Sequence, residues 1–85
     1  MNKKPNISNI LKYHRKKAGL SQQELAKLAG VGKTAVFDLE KGKETVQLDT
    51  LRKILHALNI TLKFESSLMQ EYEREATNPE AVASP

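Results

Sequence analysis

Gln22-Gln23-Glu24-Leu25-Ala26-Lys27-Leu28-Ala29-Gly30-Val31, followed directly by Gly32-Lys33-Thr34-Ala35-Val36-Phe37-Asp38-Leu39-Glu40-Lys41-Gly42, reads as two short helices joined by one tight turn. Ser21 with Glu24 three residues later forms a capping box that opens the first helix. Gly30, free to take positive φ, closes it, and Gly42 ends the second. Ala26 is small where the second helix must cross the first. Val31, Val36 and Leu39 face the core. At about 100° per residue, Thr34, Asp38 and Lys41 then fall on the far side of the second helix, with Lys33, Ala35 and Phe37 on its flanks. A helical hairpin that only packs also needs a small residue and a turn, but not all of these signals in register. The pattern is a helix-turn-helix, and its outward side chains are those available to a major groove.

Several further stretches resemble the Cro and phage-repressor type of helix-turn-helix domain, the XRE family. Leu20-Ser21-Gln22-Gln23-Glu24-Leu25-Ala26, Ala29-Gly30-Val31 and Leu39-Glu40-Lys41-Gly42-Lys43 are similar to its consensus, and Arg15 stands where its first-helix arginine stands. The resemblance spans about residues 7 to 60. Within the family, Leu51 to Phe64, ending Ala57-Leu58-Asn59-Ile60-Thr61-Leu62-Lys63-Phe64, looks most like the HipB-type antitoxins of type II toxin-antitoxin systems. The sequence departs from the family at Gly32, where a capping Ser or Asp is usual, and at Phe37, where a small polar residue is common.

Composition bounds the function. Eighty-five residues suffice for one core, which benefits from dimerisation, and the absence of cysteine excludes disulfides and thiolate metal sites. With no apolar run near the length of a span and no signal-peptide pattern, the expected location is the cytoplasm, on the nucleoid when bound to an operator, without a membrane partner. The net charge of +4 hides an asymmetry. Residues 1 to 43 carry ten Lys or Arg against three acids, whereas residues 44 to 85 carry four against seven. The positive field therefore lies on the half that holds the motif, as phosphate neutralisation requires.

The remaining chain divides as follows. Residues 1–6 are a polar, basic leader expected to be mobile; 7–65 form the DNA-binding domain; 66–85 are an acidic segment and a disordered tail. Helix one is expected over Ile7 to Ala18 with Ile7, Ile10 and Leu11 inward, helix two over Ser21 to Ala29, and helix three over Lys33 to Lys41. Helix four, Leu48 to Leu58, places Leu48, Leu51, Leu55 and Leu58 at helical spacing beside Ile54. After Asn59 the period alternates. Ile60, Leu62 and Phe64 point one way and Thr61, Lys63 and Glu65 the other, which reads as a β-strand over 60–65 or, alternatively, as a continuation of helix four. A lone strand has no partner in its own chain, and its own copy across a two-fold axis is the most economical one. HipB-like antitoxins dimerise through such a strand, so the resemblance implies the same arrangement. Residues Ser66 to Glu75, with Leu68, Met69 and Tyr72 at helical spacing, form a last short helix or a docking segment.

The expected fold is therefore mostly α, a lambda-repressor-like helix-turn-helix bundle of four to five helices with a C-terminal β-strand pairing across a dimer. An enzymatic role has little support, and no cofactor or metal is expected. His14 and His56 are 42 residues apart without carboxylates at zinc-site spacing, and Asp38 and Glu40, two apart on a helix, point to different faces. The glycines lack the lysine and hydroxyl of a phosphate-binding loop.

The DNA contacts sort by chemistry. The family's matching glutamine implies that Gln22, at the start of helix two, meets a phosphate; Lys41 and Lys43 are further phosphate candidates. Lys33 suits guanine O6 and N7, Thr34 donates or accepts, Ala35 or Phe37 suits a thymine methyl, and Asp38 accepts from cytosine N4. Phe37 can instead face a partner protein. Glu40 faces inward, and the resemblance implies a structural pair with Arg15, which can also touch a phosphate. The partners implied are double-stranded DNA with a palindromic operator, a second copy through Ile60, Leu62 and Phe64, and a HipA-like kinase toxin. A dimeric antitoxin repressing its own operon stands beside two alternatives: an XRE-family repressor without a toxin, and a module that neutralises a toxin mainly by contact.

Overall fold

The computed structural model describes residues 6–76; of the leader expected over 1–6 only Asn6 is among them, and the tail from residue 77 lies outside them. Five helices follow in order: α1 (Ile7–Lys17), α2 (Gln22–Ala29), α3 (Lys33–Glu40), α4 (Leu48–Ala57) and α5 (Met69–Ala76). Each of the first three boundaries has a local cause. The Asn6 side chain accepts from the Asn9 N–H at 2.9 Å and caps α1, whose last turn carries His14, Arg15, Lys16 and Lys17 against the negative end of its dipole. In the α2 capping box, the Glu24 N–H donates to Ser21 Oγ at 3.0 Å and the Ser21 N–H donates to Glu24 Oε1 at 2.7 Å. Gly30 ends α2 in the left-handed region, and the Val31 N–H reaches back to the Ala26 carbonyl at 2.9 Å. The N-cap of α3 is Gly32, which offers no side-chain acceptor.

Gly30 has φ +75°, and a Cβ added there would meet nothing within 4 Å, so the cost of a side chain is backbone strain alone. Gly30→Ala is expected to destabilise by roughly 1–2 kcal/mol, and Ser21→Ala, which removes the cap, by about 1 kcal/mol. Urea unfolding of the two variants checks both; an unchanged midpoint for Gly30→Ala would mean the turn relaxes out of the left-handed region.

In the core, α2 packs against both α3 and α4, and α1 packs against α3. Leu11, Leu25, Val36 and Ile54 are fully buried, joined by Ala26, Leu39, Leu51 and Leu55. Two residues expected in the apolar stripes differ. Ile7 is 46% exposed and Leu48 65% exposed, because each opens its helix where the chain enters and no other element among the described residues covers that turn. Leu58 and Ile60 are half-buried at the edge of the core.

Helix four does not continue past Leu58. Asn59 takes φ 58°, the one positive value at a non-glycine residue among the described residues, and the Ile60 N–H donates to the Leu55 carbonyl at 2.9 Å. That closure turns the chain out of the helix. The strand expected over 60–65 is not formed in the single chain either: no strand occurs among the described residues, which are all-α, and backbone groups of 61–65 pair with no other backbone group there. In the single chain Leu62 is 51% and Phe64 71% exposed. Then α5 forms, with none of its residues buried.

Candidate nucleic-acid interface

The helix-turn-helix presents one continuous outward surface. Lys33 and Thr34 open α3 and are exposed, Ala35 is half-buried at its flank, and Phe37 is 45% exposed one turn on. Lys41 Nζ sits 5.2 Å from the centroid of the Phe37 ring, a cation–π contact at i, i+4 that holds both side chains on this surface. Asp38 is half-buried, and Lys43 Nζ lies 3.5 Å from its Oδ2. The turn after α3 brings them together, since the Lys43 N–H donates to the Asp38 carbonyl at 3.0 Å. Five residues apart, this pair has no helical-face signal in the sequence; only the turn geometry reveals it.

Beneath that surface lies an ion-pair network. Arg15 Nε donates to Glu40 Oε2 at 2.6 Å and Nη2 to Oε1 at 2.9 Å, a two-pronged pair joining α1 to α3. The third prong, Nη1, donates to the Leu20 carbonyl at 2.8 Å, and Gln22 Nε2 donates to Glu40 Oε1 at 3.1 Å. The side chains of Arg15 and Glu40 are 11% and 2% exposed. Burial acts to raise the Glu40 carboxyl, but hydrogen bonds from Arg15 and Gln22 and the charges of Arg15 and Lys12 outweigh it and hold Glu40 below the usual carboxylate range. Arg15 is raised above its ordinary value, chiefly by its hydrogen bond to Glu40. The tie of Gln22 to Glu40, across 18 residues, was not legible in the sequence; the amide at the start of α2 is positioned by the same carboxylate that anchors α1 to α3.

Among the described residues no three His, Asp or Glu side chains gather as metal ligands, and His14 Nδ1 lies 2.7 Å from the carbonyl of Ile10 on its own helix. No helix among these residues is long and apolar enough to cross a membrane.

A fold of short helices whose helix-turn-helix turns Lys33, Thr34 and Lys41 outward is that of a DNA-binding regulator. The model of the helix-turn-helix family matches residues 11–64, well over half of the chain, and the chain belongs to that family, in its XRE type. An uncharacterized HTH-type transcriptional regulator, y4mF, of Sinorhizobium fredii is 38% identical over 56 residues, which are 66% of this chain and 74% of the relative. Another such regulator, from Methanothermobacter thermautotrophicus, is 39% identical over 52 residues, covering 61% of this chain and 75% of its own length. Among solved structures, a chain of the HipA-HipB-O2-O3 complex superposes with a TM-score of 0.66 at 26% identity, over 79% of this chain and 99% of that one. A chain of the SinR/SinI protein complex gives 0.60 at 27% identity, over 86% and 80%.

Proposed function

We propose that this regulator acts as a homodimeric, sequence-specific repressor of the HipB kind, reading a palindromic operator in its own toxin-antitoxin operon with α3 and holding a HipA-like kinase toxin. The observation that carries the reading is the likeness, over nearly the whole of that chain, to a protein solved in a complex named for both HipA and HipB. The charge split supports it, with ten Lys or Arg against three acids in the half that holds α1 to α3. Lys33, Thr34, Ala35, Phe37 and Asp38 face the bases in this reading, while Gln22, Lys41 and Lys43 take phosphates. Ile60, Leu62 and Phe64 form a strand that pairs with its copy across a two-fold axis; the unpaired backbone of 61–65 and the exposure of Leu62 and Phe64 support this.

A regulator without a toxin is the second reading. The likeness to a chain of the SinR/SinI complex, whose named partner is not HipA, favours it. Co-expression with the neighbouring open reading frame, followed by pull-down and a growth assay, separates the two. A neighbour that neither co-purifies nor is restrained leaves the repressor alone.

The two kinds of DNA contact have different signatures. Lys33→Ala or Thr34→Ala is expected to relax sequence preference by roughly 1–3 kcal/mol where the contact is bidentate. Lys41→Ala should weaken all sequences alike and reduce the salt slope by about one. Lys43→Ala should do so less, because Asp38 already offsets its charge at 3.5 Å. Mobility shifts on the upstream region across a salt series check this; absence of salt-sensitive binding at micromolar protein would refute it.

A further inference from the structure

A groove of about 880 Å³ runs along the outer side of α4, with Leu28, Leu48, Ile60, Leu62 and Phe64 among its apolar lining. Arg52, Lys53 and His56 stand on the same wall, with Asp49 paired to Lys53 at 3.3 Å. Leu28 and Leu48 are 63% and 65% exposed on it, beside Leu62 at 51% and Phe64 at 71%. A second apolar stripe lies on α5. Leu68 just before it and Met69, Tyr72 and Ala76 within it share one side, while Glu71 and Glu75, one turn apart, share the flank. Although tethered to this groove by a few residues, α5 does not pack into it: none of its residues is buried and Tyr72 is 60% exposed.

We infer that α5 is an exchanged arm, which docks on the α4 groove of a second copy of this chain. The inference rests on the two-fold strand pairing proposed above. Six residues of strand cover about 20 Å, and antiparallel pairing about a two-fold axis runs each strand across that axis. Whatever follows residue 65 is thereby delivered to the partner's side. There the stripe of Leu68, Met69 and Tyr72 meets the partner's exposed Leu28 and Leu48, and Glu71 and Glu75 meet Arg52 and Lys53 of the partner subunit. The apolar match supplies contact area, and the opposite charges fix which way the arm lies.

The chain contains no cysteine, so single cysteines report proximity without background. Full-length chains carrying Tyr72→Cys are mixed with chains carrying Arg52→Cys and treated with a short bis-maleimide. The expected result is a covalent dimer in the mixture, well above that of either chain alone. A chain ending at Ser67 should still dimerise, but about tenfold or more weaker by sedimentation. Charge reversal at Arg52→Glu with Lys53→Glu should weaken the dimer similarly, and Glu71→Lys with Glu75→Lys should restore it. A full-length dimer whose mixture cross-links no better than the separate chains overturns the arm and leaves the strand pairing standing. So does a chain bearing both cysteines that links only within itself. A full-length chain that sediments as a monomer overturns the strand pairing and the arm together.

Discussion

Glu40→Ala should lower stability by about 3–5 kcal/mol, because it strands a guanidinium that is almost wholly buried. Arg15 is 11% exposed and three of its nitrogens are engaged, two by Glu40 and one by the Leu20 carbonyl. For a domain of this size, a loss of that order removes a large part of the total stability and shifts Tm by on the order of 10–40 °C. Arg15→Lys keeps the charge but not the fork, so it should recover little. Arg15→Met with Glu40→Leu should be more stable than either single removal, because no charge is then left buried. Calorimetry of the set decides the matter. If Glu40→Ala melts with the parent protein, the pair holds nothing together.

The same pair sets a pH dependence. The folded-state pKa of Glu40 is lowered from the ordinary 4.5, so its contribution is complete above that value and is lost as pH falls through the folded pKa. Glu24, lowered by its hydrogen bonds with Ser21, acts in the same direction and window. Tm measured from neutral pH to below 4.5 should therefore fall less steeply for Glu40→Gln than for the parent, and the difference isolates Glu40 from Glu24.

The second large effect concerns assembly. Truncation from Ile60 should yield monomers and cost operator affinity by roughly 10²- to 10⁴-fold, because a dimer's second half-site binds at a high effective concentration that a monomer lacks. Leu62→Pro, which removes a ladder donor, should act in the same direction with the rest of the chain intact. Equilibrium sedimentation and titration of full and half operators together check this. A truncated protein that remains dimeric would move the interface to α1–α4.

How much of this was legible depended on the range of the signal. The capping box at Ser21, the left-handed close at Gly30 and the stripes of α4 are local, and helices one to four lie within a residue or so of where their caps and periods place them. Residues Lys33, Thr34 and Phe37 were legible as outward-facing because helix periodicity alone fixes their side. The tie of Gln22 to Glu40 and the pairing of Lys43 with Asp38 depend on how helices cross and turns close, which no local pattern encodes. Ile7 and Leu48 were misplaced because periodicity says which face is apolar but not whether anything covers it. For 60–65 the alternation was evident, but alternation does not specify which chain supplies the partner.

The unequal anchoring of α3 has a kinetic consequence. Its last turn is pinned through Glu40 to Arg15, while its first turn begins at Gly32 with no side-chain cap. Opening therefore proceeds from the end that carries Lys33 and Thr34, and their amide hydrogens should exchange with solvent orders of magnitude faster than those of Leu39 and Glu40 in the free protein. Under the proposed assignment of Lys33 and Thr34 to the bases, sequences that hold them in place suppress this opening, whereas those that do not leave that end to fray while still engaged. Discrimination between DNA sites would then show in residence time far more than in the rate of arrival.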